Sequence, residues 1–197
     1  LFSAVPAVFS VQATEEEQPV TSGQCGEDVS WEYDADTKTL TFDGTGEMYS
    51  YAYSSPWESL KNEIKTAVVG DEITSVTNAA FFNCSALKNV VIGRSVQKMT
   101  IFAFRSDIEA YVQYTLAPIE NLTVNEENEF FSSRDNVLYN KEQTELIYYP
   151  PGLDETSFVL PETVKTVALK AFGGNTTLEE IVLNKGLEKI ASSAFFK

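Results

Sequence analysis

A spacing of 23 residues recurs along the chain and constrains its fold more than any other feature. The apolar residues of one segment fall at Ile73, Val76, Ala80, Phe81, Cys84, Leu87, Val90 and Ile92. Part of this pattern returns 23 residues later as Val96, Met99, Ala103 and Phe104. The same offset relates two further sets near the C-terminus: Val164, Val167, Ala171, Phe172 and Leu187, Ile190, Ala194, Phe195. Such self-similarity predicts a solenoid, in which each turn buries its apolar face only against its neighbours.

Each repeat also contains a short run that predicts a parallel β-strand. In residues 88–92, Val90 and Ile92 are expected to point inward while Asn89 and Val91 point outward, as in a strand with one face on the core. The phenylalanines at the Ala-Phe positions should fill the opposite side of each coil and stack in a column. Matching runs predict further strands over residues 65–69, 120–124, 156–160 and 179–183.

Residues 24–63 differ from the repeats and predict an N-terminal β-rich cap. Two β-rich runs flank a turn at residues 34–38, and Gly44-Thr45-Gly46 is expected to end the second strand. Residues 48–53 alternate with period two, so their tyrosines should share one face. Ser55-Pro56-Trp57-Glu58 predicts a helix start with a capping box. A repeat stack cannot leave its first apolar face open to water, and shielding it is the role expected of this segment.

The repeat array is predicted over residues 64–197, with two interruptions. The repeat after Phe104 begins further along the sequence than the 23-residue spacing requires, which predicts an inserted loop near residues 107–118. Loops inserted in repeats often carry binding, although neutral drift in a surface loop gives the same pattern. A hairpin is predicted over residues 130–152, with its strands at 137–139 and 145–149.

The two ends of the chain carry their own expectations. Residues 1–13 are apolar and uncharged and end in Val11-Gln12-Ala13, which is typical of a residual secretory signal peptide. A stretch of this length is too short to span a bilayer. Residues 14–23 are polar and acidic and are predicted to form a linker. At the other end the sequence stops within a repeat, so a truncated array is expected.

The charge and the missing histidines narrow the possible functions. The chain has 14 Lys and Arg against 29 Asp and Glu, a net charge of −15. Such a chain repels phosphate backbones, so we expect no nucleic-acid partner. Histidine is absent. That removes the commonest general base and the commonest zinc ligand, and no other nucleophile motif is present. We expect no catalytic activity and no cofactor.

The two cysteines, Cys25 and Cys84, are too few for a disulfide framework or a thiolate metal site. Whether they pair with each other stays open. Cys84 and Asn175 occupy equivalent coil positions, where a short side chain can donate to backbone carbonyls. Cys84 is therefore interpreted as a buried structural thiol.

The repeat resembles the BspA-type leucine-rich repeat. The resemblance rests on residues 73–92 and their echo in residues 164–183, on the hairpin sequence NVLYNKEQTELIYYPPG, and on a cap-like sequence from Cys25 to Trp57. It implies a right-handed parallel-β solenoid of about 23 residues per repeat, with the cap and the inserted hairpin. It also implies export and a secreted or cell-surface location. Some members of this family are adhesins that bind host extracellular proteins.

The exposed positions of the predicted strands are the best candidates for a binding surface, because stacked repeats present an extended face. Valines there are also explained by β-propensity alone. Tyrosines near the insertions are the second candidates, although Tyr139, Tyr148 and Tyr149 could equally pack the hairpin onto the solenoid. The candidate residues are Val68, Asn89, Val91, Asn121, Thr123, Val159, Glu180, Val182, Tyr111 and Tyr114.

The sequence thus predicts a non-catalytic, exported module that binds an extracellular or host protein at the cell surface, in the manner of an adhesin. One alternative is a carbohydrate-binding module, which predicts aromatic rings presented flat to solvent. Another is a structural spacer within a larger surface protein, which predicts no large exposed patch.

Overall fold

Short strands stacked side by side make up most of the described chain. The computed structural model describes residues 20–51, 54–104 and 117–195. The predicted signal peptide at residues 1–13 and most of the predicted insertion at residues 107–118 lie outside them. In chain order the strands are β1 Ser22–Gln24, β2 Gly26–Asp34, β3 Thr39–Met48, β4 Thr66–Val69, β5 Ile73–Ser75, β6 Asn89–Ile92, β7 Asn121–Val124, β8 Phe131–Arg134, β9 Val137–Asn140, β10 Glu145–Tyr148, β11 Ser157–Val159, β12 Thr166–Val167, β13 Glu180–Val182 and β14 Lys189–Ile190.

The main sheet confirms the predicted parallel repeat. Strands β3, β4, β6 and β7 pair in parallel, and the register joins Leu40, Ala67, Val90 and Leu122 across the sheet. These four side chains are buried, and the residues before and after each of them along its strand face outward. Alternation with period two therefore places one row of side chains in the core of every coil.

A second column of strands runs along the coils. Its first half joins the end of β3 to β5, and an isolated bridge joins Ser75 to Lys98. Its second half consists of β10, β12 and β14, which pair in parallel. These pairings join neighbouring coils on a second side, so the core is built from adjacent repeats.

The cap is continuous with the repeats through β3. Strands β1, β2 and β3 are antiparallel, and β3 then starts the parallel sheet by pairing with β4. The hairpin turn is as predicted: Asp34 Oδ1 accepts hydrogen bonds from the backbone N–H groups of Asp36 (2.8 Å) and Thr37 (3.2 Å). The predicted linker at residues 14–23 is wrong at its end, because Ser22–Gln24 pairs with β2.

Two local predictions for the cap are wrong. Gly44-Thr45-Gly46 does not end the strand, because β3 continues through both glycines at positive φ (110° and 103°). A Cβ at Gly44 would lie 2.0 Å from the Asp28 carbonyl oxygen, so close approach of β2 requires glycine there. Instead of a capped helix there is one 3₁₀ turn, Glu58–Leu60, in which no side chain caps the N-terminus.

Packing of Trp57 explains that short turn. The indole is fully buried, with ring centroids 4.9 Å from Phe42 and 5.7 Å from Trp31. Its Nε1–H donates to the Ala80 carbonyl oxygen at 2.8 Å. Holding the indole against both the cap and the first repeat fixes the chain direction locally, and this outweighs the capping preference of Ser55.

A column of aromatic rings runs through the coils. Phe81 stacks on Phe104 with centroids 5.5 Å apart, and Phe172 stacks on Phe195 at 5.2 Å. Between these pairs, Tyr148 stacks on Phe104 at 4.7 Å and Tyr149 stacks on Phe172 at 5.1 Å. The predicted phenylalanine column is therefore present, and the hairpin supplies its middle members.

The inserted hairpin is part of a three-stranded unit, β8–β9–β10, which we call the meander. Its strands are antiparallel, and β10 joins the second column by pairing with β12. Val137, Leu138 and Tyr139 of β9 are all buried, which means that both faces of this strand are covered. Leu138 belongs to the core on the N-terminal side, while Val137 and Tyr139 belong to the core on the C-terminal side. The meander therefore separates two hydrophobic cores.

Buried amides close the turns between coils in a way that corrects the prediction for Asn175. Its Oδ1 accepts from the N–H groups of Thr177 (3.1 Å) and Leu178 (2.8 Å), while its buried Nδ2 has no hydrogen-bond partner among the described residues and so does not donate to a carbonyl. Asn128 makes the donating contact instead, from Nδ2 to the carbonyls of Gly93 and Val96, both at 2.9 Å. Short polar side chains thus replace missing ladder bonds by accepting as well as donating.

We predict that Phe81→Ala lowers the free energy of unfolding by about 3–5 kcal/mol, since it opens a cavity in the aromatic column. Urea unfolding followed by circular dichroism measures the change. Phe130→Ala is the matched control, because Phe130 is 45% exposed and should cost less than about 1 kcal/mol. Equal losses for the two variants would contradict the role of the column.

We predict that Ala79→Gly raises the free energy of unfolding by roughly 0.5–1 kcal/mol. Ala79 has a φ of 60°, and relief of a left-handed penalty of about 1–2 kcal/mol exceeds the entropic cost of glycine. Ala86→Gly is the control: this residue is also half-buried in a turn, but its φ is not positive, so it should destabilise. Thermal unfolding of both variants measures the two effects. Destabilisation by Ala79→Gly would contradict the claim that the backbone of Ala79 is strained.

Candidate binding face

The outward side chains of β3, β4, β6 and β7 form one continuous surface, which we call the outer face. Two rows cross it in register. The first row is Thr39, Thr66, Asn89 and Asn121, and the second is Thr41, Val68, Val91 and Thr123. Of the residues proposed from sequence, Val68 and Asn89 are half-buried here, and Val91, Asn121 and Thr123 are exposed. Their outward direction is as predicted.

The first row is a ladder of side-chain hydrogen bonds. Asn121 Nδ2 donates to Asn89 Oδ1 at 2.8 Å, and Asn89 Nδ2 donates to Thr66 Oγ1 at 3.3 Å. Each amide is oriented by its neighbour on the adjoining strand. The ladder therefore holds its polar atoms in a fixed arrangement.

The second row is less polar and more accessible. Val91 is 40% exposed although valine is usually buried, and Val68 lies beside it at the same register. Thr123 continues the row on β7. The outer face thus combines a polar ladder with an apolar strip one pleat away.

A groove of about 470 Å³ lies where these strands end. It is lined by backbone at Gly70 and Gly93, where a Cβ on Gly93 would lie 2.3 Å from the Gly70 carbonyl oxygen. Asp71 Oδ1 accepts from the Arg94 N–H at 3.0 Å and from Asn125 Nδ2 at 3.1 Å. These bonds fix an acidic rim at the carboxyl ends of the strands.

Both ends of the outer face carry an ion pair. Lys65 and Lys88 precede β4 and β6, and Lys88 Nζ lies 2.5 Å from Glu120 Oε1. At the other end Arg94 is paired with Glu72, which raises the pKa of the guanidinium. The middle of the face carries no charged side chain among the eight outward positions.

The remaining strand candidates lie on a different sheet. Val159, Glu180 and Val182 point outward from β11 and β13, which pair only with each other. The sequence predicted that these residues would continue one exposed sheet, and this is wrong, because the meander follows β7 before β11 begins. We call this second surface the β11–β13 strip.

The tyrosine candidates separate into two groups. Tyr111 and Tyr114 lie outside the described residues. Tyr139, Tyr148 and Tyr149 are no more than 3% exposed, so their rings pack the meander into the two cores. Packing, one of the two explanations considered from sequence, accounts for these three residues.

Both cysteines are free and buried. Burial raises the pKa of each thiol from 9.0 to about 12, because removal from water disfavours the thiolate. Neither thiol is therefore poised for nucleophilic chemistry at neutral pH. Within the described ranges, no cluster of three or more acidic or cysteine side chains could hold a metal ion.

A match to a family model identifies the family of this chain. The family model for the BspA type leucine rich repeat region (6 copies) matches residues 47–155 and 152–197. The chain belongs to the BspA-type leucine-rich repeat family. Among curated proteins, none matches it. No helix in the described part of this leucine-rich repeat chain is both long and apolar enough to cross a bilayer.

Three solved structures are similar to this chain at low sequence identity, and one of them has a TM-score above 0.5. The pneumococcal vaccine antigen PcpA is 17% identical with a TM-score of 0.51, over 87% of this chain and 67% of that one. A leucine-rich repeat protein from Eubacterium ventriosum is 22% identical with a TM-score of 0.45, over 89% of this chain. A leucine rich cell surface protein from Faecalibacterium prausnitzii is 13% identical with a TM-score of 0.43, over 90% and 74%. The chain spans 63% of the Eubacterium protein.

We predict that the free energy of unfolding falls as the pH rises above 9. The unfolded thiols ionise near 9 while the folded thiols ionise near 12, so each thiol removes roughly 1 kcal/mol per pH unit between these values. Below pH 9 this contribution is constant. Urea midpoints at pH 8, 9.5 and 11 measure it. The Cys25→Ala, Cys84→Ala double variant should show a shallower dependence, and identical slopes would contradict the assignment.

Proposed function

We propose that this chain is a non-catalytic, exported module that binds an extracellular protein at the cell surface through its outer face. The observation that carries the proposal is the pair of register-aligned rows on β3, β4, β6 and β7. Four adjacent strands present ordered side chains to solvent, and none of the described elements covers them. Membership of the BspA-type family and the fold shared with the PcpA antigen support a surface role.

The composition of the outer face favours a protein partner over a carbohydrate. Sugar-binding surfaces use flat aromatic rings, and the outward positions of the described main sheet and of the β11–β13 strip carry none. Thr, Val and Asn instead suit a broad contact of mixed polarity, similar to an ordinary protein surface. A glycan partner stays the alternative, and a spacer role is disfavoured by the exposed Val91 row.

The negative charge of this chain favours a positively charged partner. The net charge of −15 and the acidic rim near Asp71 attract basic surfaces over a distance of about 8 Å at physiological salt. The neutral middle of the outer face then avoids the cost of desolvating charges on contact. We infer fast, salt-dependent association with a basic extracellular protein.

The test introduces charge and bulk on the outer face. Val91→Arg with Thr123→Arg should weaken binding to purified extracellular-matrix proteins at least tenfold, measured by surface plasmon resonance with the full chain immobilised. Val20→Arg with Thr21→Arg is the matched control, since both residues are exposed and their side chains are the same types. Equal affinity for the two double variants would refute the outer face as the binding surface, and turnover of any such protein would refute a non-catalytic role.

A further inference from the structure

A hollow of about 460 Å³ lies outside the outer face, where the first turn of the meander meets β11. We call it the Tyr149 hollow. Asp135 and Val137 line it from the meander, and Leu153, Glu155 and Phe158 line it from the segment that leads into β11. Asp135 and Asn136 both have positive φ (53° and 63°), which forms the tight turn at its rim.

The Tyr149 hydroxyl is one of the buried polar groups to which the described residues offer no hydrogen-bond partner. Tyr149 takes the column position that phenylalanine holds at 81, 104, 172 and 195, and its ring stacks as theirs do. The side chain is 1% exposed, yet the hydroxyl has no hydrogen-bond partner among the described residues. A buried polar group without a partner costs free energy that phenylalanine would avoid.

The charge around this hydroxyl is negative. Asp135 and Glu155 are among the residues that line the hollow, and none of the lining residues is basic. At the rim an ion pair joins Arg134 Nε to Asp135 Oδ2 at 3.5 Å, with both side chains more than half exposed. Burial and the charge of Glu155 raise the pKa of Tyr149, so the hydroxyl stays neutral and can accept a hydrogen bond.

Two apolar side chains form part of the wall of the hollow. Leu153 and Phe158 are half-buried, and the Phe158 ring lies edge-on to Tyr149 with centroids 5.0 Å apart. Beyond the mouth, the β11–β13 strip exposes Val159 (67%) and Val182 (45%). A ligand with an alkyl stem and a cationic head would match the walls and the oxygens together, and a polypeptide could continue along the strip.

We propose that the Tyr149 hollow receives a lysine side chain of a protein partner. The ammonium group has three N–H donors, and three residues of the hollow carry acceptors: the Tyr149 hydroxyl and the carboxylates of Asp135 and Glu155. The four methylene groups of lysine would lie against Leu153 and Phe158. This inference rests on the proposed protein-binding function and names the chemistry of the partner.

The experiment titrates ¹⁵N-labelled full chain with N-acetyl-lysine methylamide and follows amide shifts by NMR. We expect saturable shifts confined to residues 135–137 and 155–159, and none with the Nε-acetylated form, which lacks the charge. Tyr149→Phe should weaken the affinity at least fivefold. Tyr49→Phe, at an exposed tyrosine, should leave it unchanged.

Glu155→Gln is the second variant, because this exposed residue can be changed without disturbing the core, and it should also weaken binding at least fivefold. Unchanged affinity in Tyr149→Phe, or no saturable shifts with the lysine probe, would overturn the inference. Shifts with glucose alone would assign the hollow to a saccharide and overturn it as well. A chain that binds matrix protein but not the probe contradicts this inference only, and the reverse result contradicts the proposed function only.

Discussion

Each coil of this protein depends on its neighbours for burial of its aromatic side. One ring per coil cannot leave water unless the next coil covers it, and stacking adds about 0.5–1.5 kcal/mol per pair beyond the buried area. The stacked rings run from Phe81 through Phe104 to Tyr148, and from Tyr149 through Phe172 to Phe195. The cap begins the series, because Phe42 contacts Phe81 and Trp57 contacts Phe42.

At the meander, neighbouring coils still bury one another's aromatic rings, but the rings come from two consecutive residues. Tyr148 faces the N-terminal core and Tyr149 faces the C-terminal core, so two consecutive residues contribute to different halves of the column. The cost is the interruption of the main sheet between β7 and β11. The consequence is two separate exposed surfaces, the outer face and the β11–β13 strip, with the Tyr149 hollow beside the meander.

Much of the fold is encoded in the periodicity of the side chains and can be predicted from the sequence alone. The 23-residue offset predicts the strands, their inward residues and the phenylalanine column. The third strand of the meander was missed because Phe131–Arg134 reads FSSR, which has little apolar signal. The position of Tyr149 in the aromatic column was not predicted, although this residue lies 23 residues before Phe172. The neighbouring aromatic residues of the hairpin made that spacing hard to recognise.

Other features depend on long-range contacts and have no local signal. The glycines of β3 serve a close approach to β2, and Ser55 loses its capping role to the packing of Trp57. The hollow exists only because the meander turn meets a segment from the next coil. Outward strand positions could be predicted, but the break that divides them between two sheets could not.

Double-mutant cycles on the aromatic column test the nearest-neighbour account most directly. Phe81→Leu and Phe104→Leu, singly and together, should give a coupling free energy of about 0.5–1.5 kcal/mol in urea unfolding, because their rings are in contact. Phe81→Leu with Phe172→Leu should give a coupling below about 0.5 kcal/mol. Equal coupling in the two cycles, or none in the first, would contradict the claim that each coil is stabilised by its neighbours.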